Sequence, residues 1–215
     1  MSGGGPYTDR PGPLPADLVP QPGARPIRRI AVYCGSAPGN DPRFAEAAVA
    51  LIEEMASRGI DLVYGGGKLG LMGLIADTML ERGGKVLGVI PAALVDKEVA
   101  HLGLTELHQV AGMHERKAKM TELCDAFVCL PGGIGTLDEM FEAWTWNALG
   151  YHAQPFCLLN VDGFWDGLAT FMDHVSASGF LSQARRDQLL MAATPAEAID
   201  RLDEAARNAT QGMVW

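Results

Sequence analysis

A chain of 215 residues that is 48% hydrophobic can bury a sizeable core within one domain, yet no apolar run approaches the roughly 20 residues that cross a bilayer as a helix. Its 26 acidic residues outnumber the 17 Lys and Arg, and the resulting net charge of -9 argues against a nucleic-acid surface and leaves any small-anion site dependent on local positive groups. The start has no basic-then-apolar export pattern, and Cys34, Cys124, Cys129 and Cys157 form no C-x-x-C pair, so inert core thiols in a reducing cytosol are expected.

Residues 1–27 are Gly, Pro and polar without periodic apolar positions, and read as a disordered leader to a domain over 28–208 and a tail over 209–215. IAVYC at 30–34 is a strand that ends in Gly35 and Ser36. Asp41 and Pro42 cap and open a helix that puts Phe44, Ala48, Leu51, Ile52 and Met55 on one face and stops near Gly59. A strand at 60–64 leads to GGGKLG at 65–70, then to a helix through Met72, Ile75, Met79 and Leu80 that ends at Gly83 and Gly84. A strand at 86–90 is closed by Pro91, and the less regular stretch 92–104 carries Lys97, Glu98 and His101. A strand at 107–110 runs into MHERK at 113–117 and a short helix to Leu123. AFVCL at 126–130 is a buried strand, PGGIGTLDE at 131–139 a glycine-rich turn opening a helix, and that helix continues past Trp144 and Trp146 to Leu149. A strand at 155–160, a helix at 165–175 and a further helix at 182–190 follow, and Thr194, Pro195 and Glu197 start the last helix.

Apolar strands alternating with helices define an α/β fold, a Rossmann-like doubly wound parallel sheet covered on both faces. In such sheets ligands gather beyond the carboxyl ends of the strands, so the turns after Cys34, Tyr64 and Leu130 share one rim.

The turn at 131–139 is the strongest chemical signal. Gly132, Gly133 and Gly135 let the backbone approach a ligand, and the free N–H groups of the next helical turn point at it. Thr136 can cap that helix or bind a phosphate oxygen, and Asp138 and Glu139 are placed in its first turn, where the dipole favours negative charge. Either acid alone can be a helix-start feature, but a carboxylate beside a phosphate cradle repels the ligand unless it takes part in the chemistry. GGGKLG matches G-x-G-x-x-G, yet the next strand ends in Val89, Ile90 and Pro91 rather than an acid for a ribose, and no G-x-x-x-x-G-K-[ST] occurs. A mononucleotide held by its phosphate fits better than a dinucleotide, the structural alternative being glycines that only permit tight packing. Arg116 and Lys117 are either a solvated helix end or, near an anion, a fork for phosphate or base acceptors. His114 is assigned no catalytic role, and Trp144 and Trp146 are assigned to helix packing or a dimer surface. Glu98 and Glu139 are the acids placed at the site: glycosidic cleavage develops positive charge on the sugar, which carboxylates stabilise, and a carboxylate can activate water.

YGGG at 64–67, GLMG at 70–73, MHERK at 113–117 and PGGIGTLDE at 131–139, in that order over about residues 28–190, resemble the LONELY GUY family of cytokinin riboside 5′-monophosphate phosphoribohydrolases, with its P-G-G-x-G-T-x-x-E motif. Some of its relatives have carried a lysine decarboxylase label, but nothing in this chain supplies a pyridoxal phosphate lysine motif. The resemblance implies hydrolysis of an N6-substituted adenosine 5′-monophosphate, or of AMP, to free base and ribose 5-phosphate, without cofactor or metal. It makes Arg116 and Glu139 the catalytic pair and Glu98, Lys117, Gly133, Ile134, Gly135, Thr136, Leu137, Asp138 and Thr145 nucleotide contacts, with Ser36, Gly66, Gly67, Gly70 and Gly132 joining them on the rim. It also implies a cytoplasmic homodimer with the site near its interface, a nucleoside monophosphate as the small-molecule partner, and neither nucleic acid nor membrane. Two other classes stay open: a non-catalytic nucleotide or cofactor carrier, and an NAD-dependent dehydrogenase, against which the missing ribose acid stands.

Overall fold

The computed structural model describes residues 26–95 and 99–209. Its centre is one sheet of seven strands: β1 (Arg29–Tyr33), β2 (Asp61–Tyr64), β3 (Val86–Pro91), β4 (Glu106–Val110), β5 (Ala126–Cys129), β6 (Phe156–Leu159) and β7 (Leu189–Ala192). Every pairing is parallel, in the order β4-β3-β2-β1-β5-β6-β7, so the winding direction reverses between β1 and β5, where Tyr33 lies beside Cys129. This is the doubly wound sheet the alternation implied, and the reversal is where such folds open a crevice.

The two-residue period of β1 sorts the core. Ile30 and Val32 face one layer, with α1 (Pro42–Ser57), α2 (Gly70–Glu81) and α7 (Pro195–Ala209), whereas Ala31 and Tyr33 face the other, with α3 (Met113–Leu123), α4 (Ile134–Ala148) and α5 (Asp166–Ala177). Helix α1 starts as its residues dictate: the Asp41 carboxylate accepts from the Arg43 N–H at 2.9 Å, and Ala48, Leu51, Ile52 and Met55 are buried. All four cysteines are buried free thiols; burial pushes Cys157 up to about 12, in keeping with inert core residues.

Three expectations change. The helix expected over 182–190 is a five-residue α6 (Gln183–Asp187) followed by strand β7. Leu189, Leu190, Met191 and Ala192 include no β-branched residue, and only pairing with β6 makes them a strand. Pro91 does not merely end β3 but is its last residue, opposite Val110 of the edge strand β4. Ile27, placed in the leader, is buried in the core; the rest of that leader up to residue 25, and the tail beyond Ala209, lie outside the described residues.

Candidate active site

The carboxyl ends of β1, β2 and β5 carry three turns that lock onto one another. The Gly35 N–H donates to the Pro131 carbonyl at 3.2 Å, tying the turn after β1 to the turn after β5. A Cβ at Gly132 would collide with Thr136 Oγ1 and sit 2.9 Å from the Gly35 nitrogen, so the backbone itself fills that contact. Gly70, at φ +59, packs its Cα against the Ser36 carbonyl, which brings the start of α2 to the exposed Ser36. Gly66, at φ +78, and Gly67 form the floor after β2, buried under a segment that crosses them: Lys68 N–H donates to Val99 O and His101 N–H to Gly66 O, each at 3.0 Å.

Helix α4 begins earlier than its acids imply. Gly133 is its N-cap, with no side chain capping it, and the first turn holds Ile134, Gly135 and Thr136. Asp138 and Glu139 therefore stand in the second turn, not the first, and Thr136 is not a cap: it is 3% exposed and braces the turn from below. Nothing lies within 4 Å of a Cβ placed on Gly133 or Gly135, and Ile134 is 85% exposed. The result is an open, uncapped helix start whose orphan N–H groups face outward, a site suited to a phosphate. Leu137, half-buried, packs into the α3–α5 core layer.

Arg116 and Glu139 arrive from α3 and α4. The Arg116 guanidinium is buried; its Nη2 donates to the Gly65 carbonyl at 2.8 Å, and Gly65 has no room for a side chain beside it. Both groups act on the end of β1. Burial pushes the Cys34 thiol far up, the Glu139 carboxylate adds to that, and Arg116 opposes it. Tyr33, one residue earlier, is raised by burial and then by Glu139. An arginine and a carboxylate thus converge on the crevice between β1 and β5.

Lys117 sits at the α3–α4 seam. Its Nζ lies 3.0 Å from Asp138 Oδ2 and also pairs with Glu142, and its side chain is 11% exposed. Partial burial works against its charge, but bonds to Glu142 and Asp138 prevail and raise its pKa. Glu142 also meets His114, Nδ1 to Oε1 at 3.2 Å, and the His114 ring stands edge-on to Trp146. Trp144 is buried against Phe141 and Phe156, a packing residue.

Glu98 lies outside the described residues. Thr145 is exposed on α4, in a hollow with Phe141, Trp144, Leu149, Met172 and Phe180 rather than on the glycine rim. Sequence reasoning missed Glu142; His101, noted only as part of an irregular stretch, is buried, bonds Asp77 at 2.9 Å and accepts from the Gly103 N–H at 3.2 Å. The spacing of Glu142, one turn after Asp138, was the available signal for that residue. Among the described residues no group of three or more His, Cys, Asp and Glu could hold a metal, and no helix is long and apolar enough to cross a membrane.

Fold and rim together define a Rossmann-like α/β protein with a phosphate-ready helix start at the strand reversal. The chain belongs to the LONELY GUY family, the cytokinin riboside 5′-monophosphate phosphoribohydrolases. Residues 72–202 match the family model described as "possible lysine decarboxylase". The chain is 47% identical over 189 residues to cytokinin riboside 5′-monophosphate phosphoribohydrolase LOG of Oryza sativa subsp. japonica, covering 88% of this chain and 78% of that one. It is 45% identical over 180 residues to LOG3 of Arabidopsis thaliana, named for the same activity, with 84% of each chain covered. Among solved structures, the structural-genomics target TM1055 superposes with a TM-score of 0.61 at 25% identity, over 82% of this chain and 99% of that one. The molybdenum cofactor carrier protein of Chlamydomonas reinhardtii superposes at 0.62 but with 20% identity, over 82% and 96%, which is a likeness of fold.

Proposed function

We propose that the rim hydrolyses the N-glycosidic bond of adenosine 5′-monophosphates, plain or N6-substituted, giving free base and ribose 5-phosphate. The observation that carries this reading is the convergence of Arg116 and Glu139 on the end of β1, beside the open start of α4. The 5′-phosphate rests on the N–H groups at Gly133, Ile134 and Gly135, with Thr136 bracing the turn and Gly132, Ser36, Gly66, Gly67 and Gly70 shaping the walls. Lys117 lends local positive charge to an acidic protein, and Asp138 holds it there. As the bond from C1′ to the base nitrogen stretches, the ring gains positive charge, which Glu139 stabilises; water adds its hydroxyl to C1′ and its proton leaves with the base. Arg116 hydrogen-bonds the departing base.

A lysine decarboxylase reading does not fit Lys117. A lysine that holds an aldehyde cofactor must give up its proton readily, whereas two carboxylates keep this one charged. A carrier would share the fold and the phosphate cradle but release no base.

The apolar hollow around Thr145 is covered by a second copy, making a homodimer in which Thr145 approaches the partner's site; exposed Leu149 and Phe180 at its edge support this. Four buried, unpaired thiols support a reducing cytosol as the compartment. The direct test is chromatography of AMP and isopentenyladenosine 5′-monophosphate incubated with the protein. Free base from either is the expected result, and nucleotide bound without turnover overturns the hydrolase reading in favour of a carrier.

A further inference from the structure

We propose that Glu142, outside the glycine-turn motif, is a positioning residue: by clamping Lys117 it sets the α3–α4 seam and thereby the approach of Arg116 to Glu139. This rests on the phosphoribohydrolase reading and deepens it.

Register places these residues side by side. Lys117 directly follows Arg116 on α3, Asp138 directly precedes Glu139 on α4, and Glu142 stands three residues after Glu139. Residues four apart on a helix lie one above the other, so Asp138 and Glu142 form one acidic edge and bracket Glu139 along the axis. Lys117 pairs with both, so one ammonium from α3 pins α4 on either side of the proposed catalytic acid.

Burial decides which pin matters. Asp138 is 56% exposed and shares its charge with water, whereas the Glu142 and Lys117 side chains are 19% and 11% exposed. An exposed bridge contributes little; a largely desolvated one resists being half-broken, because the remaining charge is left without solvent. Glu142 also carries a second link across the same seam, its Oε1 meeting His114 of the first turn of α3. Arg116 is thereby held from two sides: its guanidinium on the Gly65 carbonyl, and its neighbour Lys117 on α4. Errors of about 1 Å in such placements cost on the order of 100-fold in rate.

The test is base release from isopentenyladenosine 5′-monophosphate by wild type, Glu142→Gln, Lys117→Met and the double variant. The expected result for Glu142→Gln is kcat lowered about 10-fold to 100-fold with KM within about threefold, since the phosphate cradle is untouched. The double variant is expected to lose much less than the product of the single losses, because both break one link. Unchanged kcat, or a raised KM at unchanged kcat, overturns the proposal. If Glu142→Gln does not fold, the double variant, which leaves no half-pair buried, decides by its kinetics: a lowered kcat is the expected result, whereas full activity, or a raised KM at unchanged kcat as loss of the Lys117 charge alone would give, is contrary. A wild type that releases no base refutes the phosphoribohydrolase reading; a wild type matched by Glu142→Gln refutes only the positioning role.

Discussion

The two halves of α4 serve different ends. Its start is backbone: Gly133 caps it, Gly132 and Gly35 interlock below, and no side chain fills the space above Gly133 or Gly135. Its far end is side chains: Phe141, Trp144 and Leu149 line an apolar hollow where Thr145 is exposed. A glycine-rich turn can be read from spacing, because glycines mark where the chain must come close to itself or to a ligand, even though they hide the residue at which the helix begins. A hollow made of side chains carries no such mark.

The largest effect that would break this contrast is at the rim. Arg116→Lys keeps the charge but loses the planar fork that engages the Gly65 carbonyl, so base release should fall about 100-fold or more with the fold retained; a loss under threefold would remove Arg116 from the catalytic pair.

The next effect is on stability and belongs to the far half. Neutral His152 donates from Nε2 to the Ala143 carbonyl of α4 at 2.9 Å, and its ring lies against Phe127. Burial holds its pKa down to about 4, against 6.5 for an ordinary histidine, the bond to Ala143 opposing only in part. Below pH 6.5 the unfolded chain therefore binds a proton that the native state refuses. His152 leaves stability intact above pH 6.5 and removes it as pH falls toward 4, by on the order of 3 kcal/mol. Urea midpoints at pH 7 and pH 4 should show this loss, and His152→Gln should flatten it; equal slopes would contradict it.

The smallest effect on the isolated chain is at the hollow. Thr145→Arg adds a charge to an exposed position, so the protomer should keep its melting temperature within a few degrees while sedimentation mass drops from dimer to monomer. An unchanged dimer would place the interface elsewhere.

Legibility followed the same divide. Strands β1, β2, β3 and β5 are apolar apart from Arg29 and Asp61 at their first positions and reach a glycine or proline within two residues of their last, so their order and the shared rim followed from local pattern. Strand β7 did not, because Leu, Met and Ala at a sheet edge read equally as helix until β6 pairs with them. The start of α4 was misplaced because glycine at the N-cap and at the second helical position hides a helix from propensity, which left a cap open as one role for Thr136 and set the acids a turn too early. Glu142 looked like one more surface acid; only the packing of α3 on α4 shows that Lys117 faces it.

The central claim, that Glu139 performs the chemistry at this rim, is most directly tested by comparing wild type with Glu139→Gln for nucleotide binding and base release on the same samples. Binding is expected to stay within a few-fold and base release to fall by about 100-fold or more, as for loss of a catalytic carboxylate. Full turnover by Glu139→Gln would contradict it.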